Sequence, residues 1–161
     1  MLPESVADNA VAVALNERLP SAIEDVRINV DGPVFVIARE QIVRVCRYLK
    51  DECGFNRISG ISGVDWWPRT PRFEVVYLLH STANKQRVRL IVRVDENETL
   101  ESVTSVWRGA NWYEREVFDL FGVSISNHPK LDRIMMPVDW EGHPLRKDYP
   151  VHGYRYSYQE E

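Results

Sequence analysis

Phe73-Glu-Val-Val-Tyr-Leu-Leu-His80, then Ser81-Thr-Ala-Asn-Lys85, then Gln86-Arg-Val-Arg-Leu-Ile-Val-Arg-Val94 is the stretch from which the fold follows. The first run is apolar but for Glu74 and His80 and predicts a strand. The middle run predicts a turn, and the last run a second strand. In that second strand Val88, Leu90, Val92 and Val94 alternate with Arg87, Arg89, Ile91 and Arg93. A period of two sends the two sets to opposite faces of a sheet. One set faces a core, and the other leaves a basic stripe. A nucleic-acid reader needs stacking aromatics beside such a stripe, and no RNA-binding motif accompanies it. The stripe is therefore read as solvated or partner-facing.

Upstream, Ile58 to Asp65 opens the same β region, and Trp66-Trp67-Pro68 to Pro71 forms a loop. Residues 39–53 predict a helix, because Ile42, Val45, Cys46 and Leu49 follow i, i+3, i+4, i+7 spacing and Gly54 closes it. Its other face, with Arg44, Arg47, Lys50 and Asp51, is an ordinary solvated one. Asp31-Gly32 joins two strands, Ile23 to Val30 and Val34 to Ala38, as a hairpin. Residues 5–18 predict a first helix, capped by Ser5 and ended by Pro20. Strands in a run with helices between them imply one two-layer α+β domain over residues 1–125.

The 161 residues suffice for a single domain with a core, and 44% hydrophobic with 27% charged residues is a globular composition. A net charge of −4 argues against nucleic acid as the main partner. No apolar run is long enough to span a bilayer. The start, Met1-Leu2-Pro3-Glu4, lacks the features of a signal or transit peptide. A cytoplasmic chain is expected, reaching a membrane only through partners. Cys46 and Cys53 lie seven residues apart on one predicted helix, about 10 Å along its axis, too far to pair.

Downstream, residues 100–108 are expected to add a helical turn or two. Asn111 to Phe121 predicts a short helix with Asn111 as N-cap and Gly122 past its end. Tyr113, Val117, Phe118, Leu120 and Phe121 fill its apolar arc, whereas Arg115, Glu116 and Asp119 fill the polar one. Glu114 falls inside the apolar arc. It closes a capping box with Asn111, or pairs while buried with an arginine of this chain or a partner. The two roles are compatible. Val123 to Ile125 is too short to assign. From Asn127-His128-Pro129 onward, Pro137, Gly142, Pro144 and Pro150 break any regular element. The segment still carries Leu131, Ile134, Met135, Met136, Trp140, Leu145 and Tyr149. That is too apolar for a solvated loop, and it reads as a docking segment over residues 126–161.

Three linked motifs follow in one order. They are Glu114-Arg115-Glu116 with Phe118-Asp119-Leu120-Phe121-Gly122; His128-Pro129 with Leu131 and Arg133-Ile134; and Gly142-His143-Pro144-Leu145-Arg146-Lys147-Asp148-Tyr149-Pro150. Together they resemble the C-subunit family of NADH–quinone oxidoreductase, from the peripheral arm of respiratory complex I. Asp132 departs from the pattern, standing where a basic residue or proline is usual. The resemblance implies an α+β fold with a mixed sheet and a non-catalytic structural role. It implies that Glu114, Arg115, Glu116, Asp119, His128, Pro129, Arg133, His143, Arg146, Lys147, Asp148 and Tyr149 serve as motif or interface residues. NAD, FMN, iron–sulfur clusters and quinone would belong to partner chains, among them the quinone-site D-subunit and neighbouring iron–sulfur subunits. The expected location is the cytoplasmic side of the bacterial inner membrane, peripheral.

The residues themselves offer little catalytic chemistry. There is no phosphate loop, no His-Glu-x-x-His and no Cys-x-x-Cys. Glu114, Glu116 and Asp119 lack an accompanying nucleophile or oxyanion device. Two other readings stand beside the first. One is a cousin in a membrane-bound hydrogenase or other-donor dehydrogenase. The other is a free-standing metal-dependent hydrolase using the tail histidines and carboxylates. The last tyrosines, Tyr154, Tyr156 and Tyr158, alternate as on an extended strand and suggest a tail that orders against a neighbour.

Overall fold

The computed structural model describes residues 9–154. The predicted hairpin becomes β1 (Ile23–Asn29) and β2 (Gly32–Ile37), followed by β3 (Arg57–Asp65), β4 (Phe73–Ser81) and β5 (Gln86–Val94). They form one sheet in the order β1-β2-β5-β4-β3. All neighbours are antiparallel except β2 and β5, which run parallel. A parallel pair needs a crossover. Here α2 (Ile42–Asp51) with β3 and β4 supplies it. The fold is α+β with a mixed sheet.

Val88, Leu90, Val92 and Val94 are buried, as their alternation predicts, and pack with Phe35, Val75, Tyr77 and Leu79. The helices pack on this face. The buried apolar side chains of α1 (Ala10–Arg18), of α2 and of α3 (Ala110–Phe121) all join one cluster with it. Gly63 of β3 lets α3 approach closely, since a Cβ there would lie 2.6 Å from the Phe121 ring. On the opposite face, Val34, Val36, Val76, Leu78 and Ile91 lie outside that cluster, and Leu78 is exposed.

Several expectations are corrected. The described helix starts at Ala10 with Asn9 as its cap: the Asn9 side chain accepts from the N–H groups of Val11 and Ala12. Ser5 lies outside the described residues. Residues 100–108 are not helical at their start. Thr99–Glu101 is a strand, β6, paired in parallel with β7 (Ser124–Ser126), and turns follow it. Three residues are too few for either strand to show a period, and pairing across more than twenty residues of chain makes them. Cys46 is buried and Cys53 half-buried, and both are free.

Candidate functional site

The C-terminal end of a helix leaves its last carbonyls without partners. In α3 the tail supplies them. Gly122 N–H donates to Phe118 O, and its φ of +73° turns the chain out of the helix. His143 Nδ1 then lies 2.8 Å from Asp119 O, Leu145 N–H donates to Leu120 O at 3.0 Å, and Arg146 Nε donates to Phe121 O at 2.6 Å. A carbonyl only accepts, so the His143 proton sits on Nδ1. Burial holds the His143 pKa below the ordinary value. Arg146 also places a cation at the negative end of the helix dipole and stacks over Phe73, 5.2 Å from the ring centroid.

Asp119 fixes the middle of the tail. One carboxylate oxygen accepts the N–H groups of Ile134, Met135 and Met136 at 2.9, 2.7 and 2.9 Å. The other accepts from Arg133 at 2.6 Å, and Arg133 continues to Gly142 O at 3.0 Å. Burial alone raises a carboxyl pKa, but these N–H groups and Arg133 outweigh it and hold Asp119 low. The helical wheel puts Asp119 on the polar arc, yet it is 0% exposed. The tail, not the core, buries it. Arg115, half-buried, donates to the Asp132 and Arg133 carbonyls and lies over Trp112. The contact at Asp132 uses its backbone, so its unusual side chain does not enter it.

A second knot ties the tail to the sheet. Arg72 grips Asp65 with two N–H groups, at 2.9 and 2.8 Å, and Asp148 with two more bonds, at 2.6 and 3.1 Å. Glu96 pairs with it as well. Lys147 N–H donates to Asp65 at 2.8 Å. Burial pushes the Asp65 carboxyl up, yet Arg72 and the N–H groups of Lys147 and Trp67 bring it down to about 2. The Asp148 carboxyl is also lowered, chiefly by Arg72. Arg72 and Asp65 escape a reading of the sequence, since they lie 76 and 82 residues from their tail partners. The only local hint is an arginine between Pro71 and a buried strand.

Glu114 does not close a capping box. The helix begins one residue before Asn111, and Gly109 stands at its cap without a side-chain bond. The preceding turn satisfies the first N–H groups instead, through Trp107 O and Arg108 O. Glu114, 1% exposed, accepts from Ser102 Oγ at 2.6 Å and Val103 N–H at 2.7 Å, so it braces the turn that leads into α3. Burial raises its pKa to about 7. No arginine reaches it among the described residues. The nearby group is His128, whose buried ring lies 3.8 Å away. Lys130 N–H donates to His128 Nδ1, leaving Nε2 as the N–H that meets Asn111 O at 3.2 Å.

Of the remaining motif residues, Glu116, Pro129 and the Lys147 side chain are exposed. Tyr149 packs edge-on to Tyr154 at 5.2 Å. Tyr156 and Tyr158 lie outside the described residues. The two-pronged carboxylate contacts at the tail are made by Arg72. With its backbone so held, the tail turns outward Ile134 (36% exposed), Met135 (60%), Val138 (94%) and Leu145 (50%). Among the described residues no three His, Cys, Asp or Glu side chains converge as metal ligands do.

Residues 35–155 match the family described as respiratory-chain NADH dehydrogenase, 30 Kd subunit. The NADH-quinone oxidoreductase C-subunit of Geotalea uraniireducens (strain Rf4) is 44% identical over 154 residues, covering 94% of this chain and 93% of that protein. The C-subunit of Roseiflexus sp. (strain RS-1) is 48% identical over 151 residues, covering 89% and 85%. Among solved structures, a chain of the membrane-bound sulfane sulfur reductase, an archaeal respiratory membrane complex, shares the fold. Its TM-score is 0.75 at 24% identity, over 88% of this chain and 84% of that one.

Proposed function

The chain belongs to the family of the 30 Kd subunit of respiratory-chain NADH dehydrogenase, and from that premise we propose that it is a non-catalytic structural subunit of the peripheral arm of NADH–quinone oxidoreductase. The enzyme passes electrons from NADH to quinone and couples the transfer to proton translocation. NAD, FMN, the iron–sulfur clusters and quinone are handled by other subunits. This chain docks on the quinone-site subunit and on neighbouring iron–sulfur subunits and holds them in register. It sits on the cytoplasmic side of the inner membrane and meets the membrane through its partners. No helix among the described residues is long and apolar enough to cross a bilayer.

One observation carries the assembly role. Asp119 and Arg72 fix an irregular backbone from within, while Ile134, Met135, Val138 and Leu145 face outward from it. Ordering such a segment costs conformational entropy, and an already ordered apolar surface binds a partner at lower cost. The test is Asp119→Asn in the intact complex. The amide cannot serve both Arg133 and three N–H groups. The expected outcome is a chain that keeps its sheet by circular dichroism, with loss of the quinone-site subunit and of NADH–quinone reductase activity from the purified complex. Unchanged composition and activity would count against the docking role. NADH oxidation by the isolated chain would count against the non-catalytic one.

A further inference from the structure

The basic stripe of β5 lies on the face of the sheet opposite the helices' core cluster. Arg57 of β3, His80 of β4 and Arg87 of β5 stand directly opposite one another in register. Arg89 stands one pleat further on, between Leu78 of β4 and Val34 of β2. Adjacent strands lie about 5 Å apart, and like charges placed across strands destabilise a sheet. Elsewhere on this face arginines are paired: Arg27 with Asp25 at 3.0 Å and Arg93 with Glu74 at 3.6 Å. At this corner two of the three are not. Arg57 and Arg87 are exposed, and neither has a carboxylate partner among the described residues. Arg89 reaches Asp31 only at 3.9 Å. The chain holds 24 acidic residues and a net charge of −4, yet none of those among the described residues pairs with Arg57 or Arg87.

The corner is concave. Arg57, His80, Arg87 and Arg89 line a cavity of about 420 Å³ with Leu78 and Val34. We propose that this corner docks a carboxylate-bearing polypeptide segment of a neighbouring subunit. Arginine forks match carboxylates two-pronged, and the exposed Leu78 takes an apolar side chain of the segment. No lysine lines the cavity, and its recessed shape suits a protruding chain better than the flat face of a bilayer. The docking site is separate from the described part of the tail, which bonds to α3, Asp65, Arg72 and Glu96.

The inference rests on the reading of the chain as a subunit of a larger complex. The test uses that complex carrying Arg57→Lys and Arg87→Lys, which keep the charge and introduce amines. Zero-length carbodiimide coupling, followed by mass spectrometry, then reports carboxylates in contact. The expected result is a link from position 57 or 87 to an Asp or Glu of one neighbouring subunit. Amine labelling at both positions should also fall on going from the isolated chain to the complex. Equal labelling in both states without a link overturns the proposal. Protection that appears only when anionic phospholipid vesicles are added also overturns it, in favour of a lipid surface. If the variants fail to assemble, Arg57→Gln and Arg87→Gln decide the matter by salt. Docking through carboxylates predicts that these complexes dissociate at lower ionic strength than the wild type, and unchanged salt resistance contradicts it. Failure of the wild-type chain to purify with any redox subunit would instead overturn the proposed function itself.

Discussion

Glu114 shows how one buried carboxylate sets a local balance. Its neutral form is favoured by burial, so its pKa rises from the ordinary 4.5 to about 7. Between those values the folded chain binds more protons than the unfolded one, and stability must fall as pH rises. The contribution is fully present below pH 4.5 and is lost as pH climbs through 7, by an amount on the order of 3 kcal/mol. Glu114→Gln keeps an acceptor for Val103 N–H and removes the titration. Its stability is therefore expected to be flatter from about pH 5 to 8 in urea unfolding, and a wild-type slope retained in the variant would refute the assignment. Glu114→Ala strands Val103 N–H, at about 1–3 kcal/mol, whereas Ser102 keeps its bonds to Thr104. Glu116→Ala, at an exposed position, should stay within about 0.5 kcal/mol. Equal losses in the two would contradict the burial. The exceptional place of Glu114 is legible from its angular position, but its partners are not, because Ser102 and Val103 lie before the helix in a turn with no distinctive spacing.

At the scale of elements, α3 and the tail act as one unit. The tail caps the helix, and the helix gives the tail its shape. Gly122 is the joint. It has a left-handed φ of +73°, and a Cβ there would lie 2.5 Å from His143 and 2.7 Å from Arg146. Gly122→Ala adds left-handed strain of about 1–2 kcal/mol and forces both side chains off the helix end. Limited trypsin digestion is then expected to cut after Arg146 or Lys147 faster than in the wild type; an unchanged rate would show that the cap tolerates the methyl. The joint is legible in the sequence, since a glycine past an apolar run marks a helix end. The α2 stripe and the β5 alternation are legible for the same reason, as periods within one element. Asp119 is not. Its wheel position is polar, and residues 14 to 17 further along the chain bury it. The β6–β7 pair escapes for its brevity.

For the whole molecule, the sheet and the tail meet at Arg72. Its guanidinium joins the end of β3 through Asp65 to the tail through Asp148. Lysine keeps the charge but lacks the planar fork, so Arg72→Lys is expected to cost about 1–3 kcal/mol. The acid limb sharpens the test. Asp65 is held at about 2, so its contribution is present above the ordinary carboxylate range and is lost as pH falls through that value. In the variant the loss should begin nearer to about pH 4, moving the acid unfolding midpoint upward. Tryptophan fluorescence reports it through Trp66 and Trp67, which follow Asp65 directly in the chain. Identical midpoints would mean that Arg72 does not set the Asp65 ionisation.

The central claim at this scale is that the tail presents a preformed apolar surface to other subunits of the complex. Hydroxyl-radical footprinting of Met135 and Leu145 tests it most directly, since both side chains are at least half exposed in the free chain and methionine oxidises readily. Strong labelling of both is expected in the isolated chain, with clear protection in the purified NADH–quinone oxidoreductase. Equal labelling in the two states would contradict the claim.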